Sequence, residues 1–229
     1  MKHFKFYDKQ EVLAFTKIRK FETKLGERIR CISPGSNIEE ALNQPSIKYV
    51  LFGIPEDIGV KANFGRVGAA SAYFSAIKSL VNIQHNKFCK GRKLILLGHL
   101  NVEKQMKVAA TLNPNDKEER KELFKLVEQI DKEVSHIVSS IVKVGKIPII
   151  IGGGHNNAYG NIKGTALAKG KPINAINLDA HSDFRILEGR HSGNGFNYAY
   201  EEGFLKKYFI FGLHENYTSK NVLHILKNI

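Results

Sequence analysis

The stretch Ile147-Pro148-Ile149-Ile150-Ile151-Gly152-Gly153-Gly154-His155, followed some eighteen residues later by Ile173-Asn174-Ala175-Ile176-Asn177-Leu178-Asp179-Ala180-His181-Ser182-Asp183, decides the fold. Each half is a short apolar run that reads as a buried strand, and each ends in groups able to ligate a metal. In an open α/β sheet, sites form outside the carboxyl ends of strands. Side chains alternate along an extended segment, so Asp179, His181 and Asp183 are expected to point the same way. His155 joins them from the neighbouring strand end, where three glycines permit a sharp turn or a close backbone approach. A set of imidazole and carboxylate donors suits Mn²⁺, Zn²⁺ or Fe²⁺, and the preponderance of oxygen favours Mn²⁺.

Working outward, Tyr49 to Ile54 and Lys93 to Gly98 read as further buried strands, and Lys207 to Gly212 as another. Between them, Ala69 to Leu80, Ala158 to Lys169 and Ser219 to Lys227 read as helices. The clearest helix runs from Asp116 to Lys143, where Leu123, Leu126, Val127, Ile130, Val134, Ile137, Val138 and Ile141 recur at steps of three and four. Pro114 and Asn115 precede it as start signals, and Gly145 closes it. Strands alternating with helices imply a three-layer αβα fold with a mostly parallel sheet. Residues 1–46 are mixed and polar, with a possible amphipathic helix from Glu11 to Phe21 and a turn at Pro34-Gly35-Ser36-Asn37. The glycine-containing stretch from Pro55 to Gly68 is either a connecting loop or one wall of an active site. A chain of 229 residues is expected to fold as a single α/β domain, with residues 1–46 as an amino-terminal extension to a core over 47–229.

The formal charge of +13 invites a nucleic-acid reading, but the basic residues are dispersed among acids, as on a solvated surface. No nucleic-acid partner is expected. Two cysteines, Cys31 and Cys89, are too few for a disulfide framework or a zinc knuckle, which favours a reducing compartment. No stretch has the length or apolarity of a signal peptide or a membrane span. A cytoplasmic protein without a membrane partner is the expectation.

Taken singly, Gly-Gly-Gly-His also resembles a phosphate-cradling turn, although no Lys-Ser or Lys-Thr pair follows it. The Asp-x-His-x-Asp triplet could be a hydrogen-bonded structural cluster, since such groups are costly to bury without partners. Together and in this order, the two motifs resemble those of the arginase, agmatinase and formimidoylglutamase (ureohydrolase) family of manganese hydrolases. Gly53-Ile54-Pro55-Glu56-Asp57-Ile58-Gly59 and the loop to Gly68 are similar to the family's first strand and loop. Glu188-Gly189-Arg190-His191-Ser192-Gly193-Asn194 is similar to its substrate loop, so the resemblance covers roughly Tyr49 to Tyr217.

The resemblance implies two Mn²⁺ ions, one held by His155, Asp179 and Asp183 and the other by Asp179 and His181, with Asp179 bridging. It further implies a metal-bridging hydroxide that attacks an amidine or guanidine carbon, with Asp183 accepting a hydrogen bond from it. Within the family, Asp183-Phe184-Arg185 and the Ser192-Gly193-Asn194 loop lean toward a resemblance to formimidoylglutamase. Arg185 beside the site suits a substrate carboxylate, with Ser192 and Asn194 as further substrate contacts, although Arg185 also fits a structural ion pair. Arginases carry a proton-shuttling His just past the Ser-Gly-Asn stretch, where this chain has Phe196. His191 is then the candidate for proton delivery, or a bystander, and His214 could line the cleft. The expected reaction is hydrolysis of formimidoylglutamate to glutamate and formamide, part of histidine metabolism. The alternatives are an agmatinase- or arginase-type guanidine hydrolase and an inactive or binding member of the fold. Family members are commonly oligomers, so a homo-oligomer is expected.

One family element has no counterpart here. The strand ending in Ser-x-Asp-x-Asp, which completes the metal shell near the middle of the sheet, is absent from the sequence. Two Mn²⁺ carry four positive charges, against two negative charges from Asp179 and Asp183. The expectation is a fold incomplete at its carboxyl end, the amino-terminal two thirds of a longer hydrolase, with an incomplete second metal site and weak activity on its own.

Overall fold

The computed structural model describes residues 3–33, 37–227 and 229, so the turn expected at Pro34-Gly35-Ser36 lies outside the described residues. In chain order the elements are β1 (Phe4–Phe6), α1 (Lys9–Ala14), α2 (Leu25–Arg28), α3 (Ile38–Leu42), β2 (Tyr49–Ile54), α4 (Ile58–Ala62), α5 (Ala72–Leu80), β3 (Leu94–Leu100), α6 (Glu103–Thr111), α7 (Lys117–Lys143), β4 (Ile147–Gly152), α8 (Asn157–Lys169), β5 (Ile173–Leu178), α9 (Gly195–Glu201), β6 (Leu205–Phe211) and α10 (Lys220–Leu226). The architecture is a mixed α/β one with mostly parallel pairing. None of the described helices is long and apolar enough to cross a membrane.

The chain forms two compact units between which it passes repeatedly. The first comprises Met1–Glu56, Gly68–Val102 and Ile141–Gly153. Its sheet has the order β1-β3-β2-β4, in which β2 runs parallel to both β3 and β4 and β1 is antiparallel to β3. Strand β2 lies between two neighbours, and Val50 to Ile54 are all buried. That burial is why its sequence is an unbroken apolar run rather than an alternating one. Tyr7, Val12, Ile29, Leu51, Tyr73, Ile77, Val81 and Leu96 make the core.

The mixed amino-terminal residues are thus not appended to this core but woven into it. The helix expected from Glu11 to Phe21 starts earlier, at a capping box formed by Asp8 and Glu11, and stops at Ala14. The Asn82 side chain ends it by donating to the Phe15 carbonyl (2.8 Å) and accepting from the Lys17 N–H (2.7 Å). Those bonds replace the ones a further helical turn would make.

The second unit comprises Asp57–Val67, Glu103–Ser140 and Gly154–Ile229. Strands β5 and β6 pair in parallel, and Tyr159, Ile162, Phe184, Phe196, Ala199, Leu205 and Tyr208 form the core on one side. The opposite side carries Ile176 and Leu178 paired with Phe209 and Phe211, which are 79%, 79%, 59% and 63% exposed. A parallel sheet ordinarily has both faces covered, so this bare apolar face departs from the rule.

Candidate metal centre

The second unit holds every residue singled out as a metal ligand. The turn that delivers His155 begins where Gly153 packs against the Glu56 carbonyl so closely that any Cβ would overlap it. Beyond it, Asn157 donates to the Gly154 carbonyl (2.8 Å), and the chain winds into α8. The other ligands follow β5, whose end is fixed because Tyr208 Oη donates to the Ser182 carbonyl (2.9 Å) and accepts from Asn177 (3.0 Å).

His155 Nδ1 lies 2.6 Å from Asp183 Oδ2 and 3.2 Å from Asp179 Oδ2. One donor atom from each of these three residues lies within 4.8 Å of the others, the only such group among the described residues. Burial alone would depress the His155 imidazole, but the hydrogen bond and charge of Asp183, with those of Asp179, outweigh it and raise its pKa. One imidazole nitrogen between two hard carboxylates is a donor set that fits Mn²⁺.

The triplet does not converge by strand alternation. Strand β5 ends at Leu178, and Asp183 has φ +45°, a left-handed conformation that Asp tolerates better than most residues. A turn, rather than an extended segment, brings Asp183 back to His155. His181 stands aside: its backbone N–H donates to Asp179 Oδ1 (2.9 Å), and its ring stacks on Tyr217 at 5.0 Å and 13°. Its Nδ1 is 3.4 Å from Asp179 Oδ1, and the side chain is 61% exposed. His214 stacks on the other partner of this pair, Tyr217, at 4.6 Å.

The expected substrate loop divides into a structural part and an open part. Asn194, expected to touch substrate, is fully buried with both ends of its amide engaged. Its Oδ1 accepts from Arg190 (2.7 Å) and from the His191 N–H (3.2 Å), while its Nδ2 donates to the Ile186 (3.2 Å) and Gly189 (2.8 Å) carbonyls. His191, expected to carry a proton, is also fully buried. Its Nδ1 accepts from the Gly193 N–H (3.1 Å), which leaves Nε2 as the donor to Glu188 Oε1 (3.2 Å). Burial pushes this imidazole down to about 4, with Glu188 partly opposing the shift. Both side chains are thus fully buried, with every polar atom engaged within the protein.

Arg185 and Ser192 are the open part. Arg185 is exposed and donates through Nη1 to Asn63 Oδ1 (3.2 Å), and Asn63 Nδ2 donates to Ser192 Oγ (3.2 Å). Among the described residues no carboxylate pairs with Arg185, whose side chain donates to a neutral amide. Asn63 comes from the stretch read as either loop or site wall, and its role had no sequence signal beyond that place in the chain. Phe196, at the position where arginases have a histidine, meets the His155 ring edge-on (5.5 Å, 83°) and stacks on Tyr208 at 4.3 Å.

Sequence reasoning also missed the group that holds this loop. Arg190 Nε and Nη2 donate to the two carboxylate oxygens of Asp131 on α7 (2.8 and 3.3 Å). Nη2 also reaches the Asn156 carbonyl (3.0 Å), one residue past His155. The guanidinium is sandwiched by Tyr159 (4.6 Å) and Tyr198 (4.9 Å). A mid-helix Asp and a loop Arg far apart in sequence carry no mark of such pairing.

An α/β unit with a His-Asp-Asp group beyond its strand ends is the class these features define. The sequence profile of the Arginase family matches residues 47–228, and the chain belongs to that family. Formimidoylglutamase from Streptococcus gordonii is 29% identical over 189 residues, covering 76% of this chain and 51% of its own length. The crystal structure of formimidoylglutamase from Bacillus subtilis superposes with a TM-score of 0.64 at 20% identity, covering 93% of this chain and 59% of that one. A structure described as Trypanosoma cruzi formiminoglutamase with Mn²⁺ gives 0.62 at 21% identity, covering 90% and 63%. The fold is thus that of arginase-like proteins, and the chain spans about half the length of the curated relatives it matches.

Proposed function

We propose that this chain carries part of a manganese-dependent hydrolase of linear amidines, with formimidoylglutamate as substrate and glutamate and formamide as products. The observation that carries the reading is the convergence of His155, Asp179 and Asp183 on one point, 2.6 and 3.2 Å apart through the imidazole. Likeness to proteins named formimidoylglutamase, one of them described with Mn²⁺, supports it. His155 Nδ1 and one oxygen from each of Asp179 and Asp183 would hold a first ion, and the other face of Asp179 with His181 would offer donors to a second. Bound manganese supplies Lewis acidity and a water of lowered pKa.

The protein's own part is to orient. Asp183 sits in a left-handed turn, and its carboxylate is held toward His155 by the 2.6 Å contact with the imidazole. Arg185, steadied by Asn63, receives the substrate carboxylate, since a guanidinium has donors to spare after one is committed to an amide. Ser192 lies beside them. The Arg190–Asp131 pair, Asn194 and His191 hold the loop that carries Ser192.

The reading is tested by calorimetric binding of formimidoylglutamate and of agmatine, which lacks a carboxylate, to the manganese-loaded chain. Preference for formimidoylglutamate is expected, with Arg185→Gln weakening it by roughly tenfold or more and leaving agmatine unaffected, as for loss of a charged hydrogen bond. Tighter binding of agmatine by the unaltered chain would contradict the substrate assignment.

A further inference from the structure

In the first unit, lined by none of the residues discussed above as ligands, lies an open cavity of about 720 Å³ whose wall includes Lys9, Arg28, Arg30 and Arg92. The backbone spends considerable precision to gather these cations. Arg30 is held as a bridge residue against the start of β3, its N–H donating to the Leu94 carbonyl (3.1 Å) and its carbonyl accepting from Leu96 (2.9 Å). Arg28 is the last residue of α2, two positions earlier. Arg92 comes from a separate turn that can approach only because Gly91 has φ +64°. A Cβ there would lie 2.7 Å from the Leu25 side chain and 3.4 Å from the Ile29 nitrogen. Lys9 Nζ ties the same backbone down, donating to the Gly26 (2.9 Å) and Ile29 (3.2 Å) carbonyls.

The wall also holds two carboxylates, each with one oxygen engaged by a backbone N–H. Asp8 Oδ1 accepts from the Glu11 N–H (2.9 Å) and Glu27 Oε2 from the Lys24 N–H (2.6 Å), both as helix caps. Among the described residues no carboxylate forms an ion pair with Arg28, Arg30 or Arg92. Arg28, Arg30 and Arg92 are exposed around this one cavity, and planar forks of this kind match carboxylate and phosphate oxygens. The wall has no Phe, Tyr or Trp on which a base could stack.

We propose that this cavity is a binding site for a small non-aromatic polyanion, a molecule carrying two or more phosphate or carboxylate groups. The site is independent of the metal centre and of the reaction proposed for it.

The test is isothermal titration of the metal-free chain at low ionic strength with inorganic pyrophosphate and, in parallel, with tricarballylate, which separates a phosphate from a carboxylate ligand. Saturable one-to-one binding of at least one anion is expected. The Arg30→Gln/Arg92→Gln variant should weaken it by roughly tenfold or more, the loss expected for charged hydrogen bonds. Arg30→Lys/Arg92→Lys, which keeps charge but not the fork, should fall between. Lys121→Gln/Lys125→Gln, which removes equal charge from the exposed face of α7, should bind as the unaltered chain does. Absence of saturable binding to either anion, or equal weakening by the α7 variant, would overturn the proposal.

Discussion

Replacing Asp131 by Ala is expected to be among the most damaging single substitutions in the second unit. The side chains of Arg190 and Asp131 are only 3% and 4% exposed, so the variant leaves a guanidinium buried without its carboxylate. Two charged hydrogen bonds, at 2.8 and 3.3 Å, disappear, while those to Asn194 and the Asn156 carbonyl remain. Breaking one partner of a buried pair costs about 3–5 kcal/mol, because the survivor stays desolvated. For a chain of this size that corresponds to a fall in Tm of about 10 °C. The pair itself is not expected to be worth so much. Asp131→Leu/Arg190→Met removes both charges and should recover most of the loss, since a buried ion pair and its apolar replacement are often nearly equal in stability. Urea titrations of Asp131→Leu, Arg190→Met and the double variant measure the coupling directly. Strictly additive losses, or a loss below about 1 kcal/mol for Asp131→Ala, would refute the reasoning.

Two other consequences are open to measurement. The folded-state pKa of His191 lies near 4, below its ordinary value of 6.5, so the unfolded chain takes up the proton first as pH falls. Stability should therefore be intact above about pH 6.5 and decline toward about pH 4, by about 3 kcal/mol from this group. Urea titrations across that window should show a slope that His191→Gln flattens, and an unchanged slope would count against a buried neutral imidazole. On the bare face of β5 and β6, Leu178→Lys/Phe209→Lys should reduce self-association in sedimentation measurements while changing stability by no more than about 1 kcal/mol. Undiminished association would mean that this face does not drive it.

The parts of the fold legible in the sequence were those where burial imposes a period. Helix α7 announced itself because Leu123, Val127, Ile130, Val134, Ile137, Val138 and Ile141 face inward, and β2 and β3 because buried parallel strands are apolar runs, whereas β4 and β5 read as buried strands although Ile147, Ile149, Ile176 and Leu178 are exposed. Helix α6 was invisible because only Ala109 in it is buried. Helix α9 was missed for the opposite reason: Gly195-Phe196-Asn197-Tyr198 has poor helix propensity, and the burial of Phe196 and Ala199 in the unit's core compensates. At the site, the residue types and their order pointed to His155, Asp179 and Asp183, but the reasoning from alternation did not survive, because the chain leaves the strand at Leu178 and turns at Asp183. His181 was grouped with the others by spacing and by the family resemblance, and its ring stacks on Tyr217, thirty-six residues later. Asn194 and His191 lay in a motif read as functional from its likeness to the family's substrate loop. Polar groups that hold a loop and polar groups that touch a substrate look the same until their burial and hydrogen bonds are known.

The central claim is that one imidazole and two carboxylates of this chain form a manganese site. Titrating the chain with Mn²⁺ while following the electron paramagnetic resonance signal of the free aquo ion tests it without recourse to turnover. Saturable loss of that signal is expected, abolished by Asp183→Ala and by His155→Ala and retained in Asn194→Ala wherever that variant folds. Binding of equal strength in the unaltered chain and in both ligand variants would contradict the assignment.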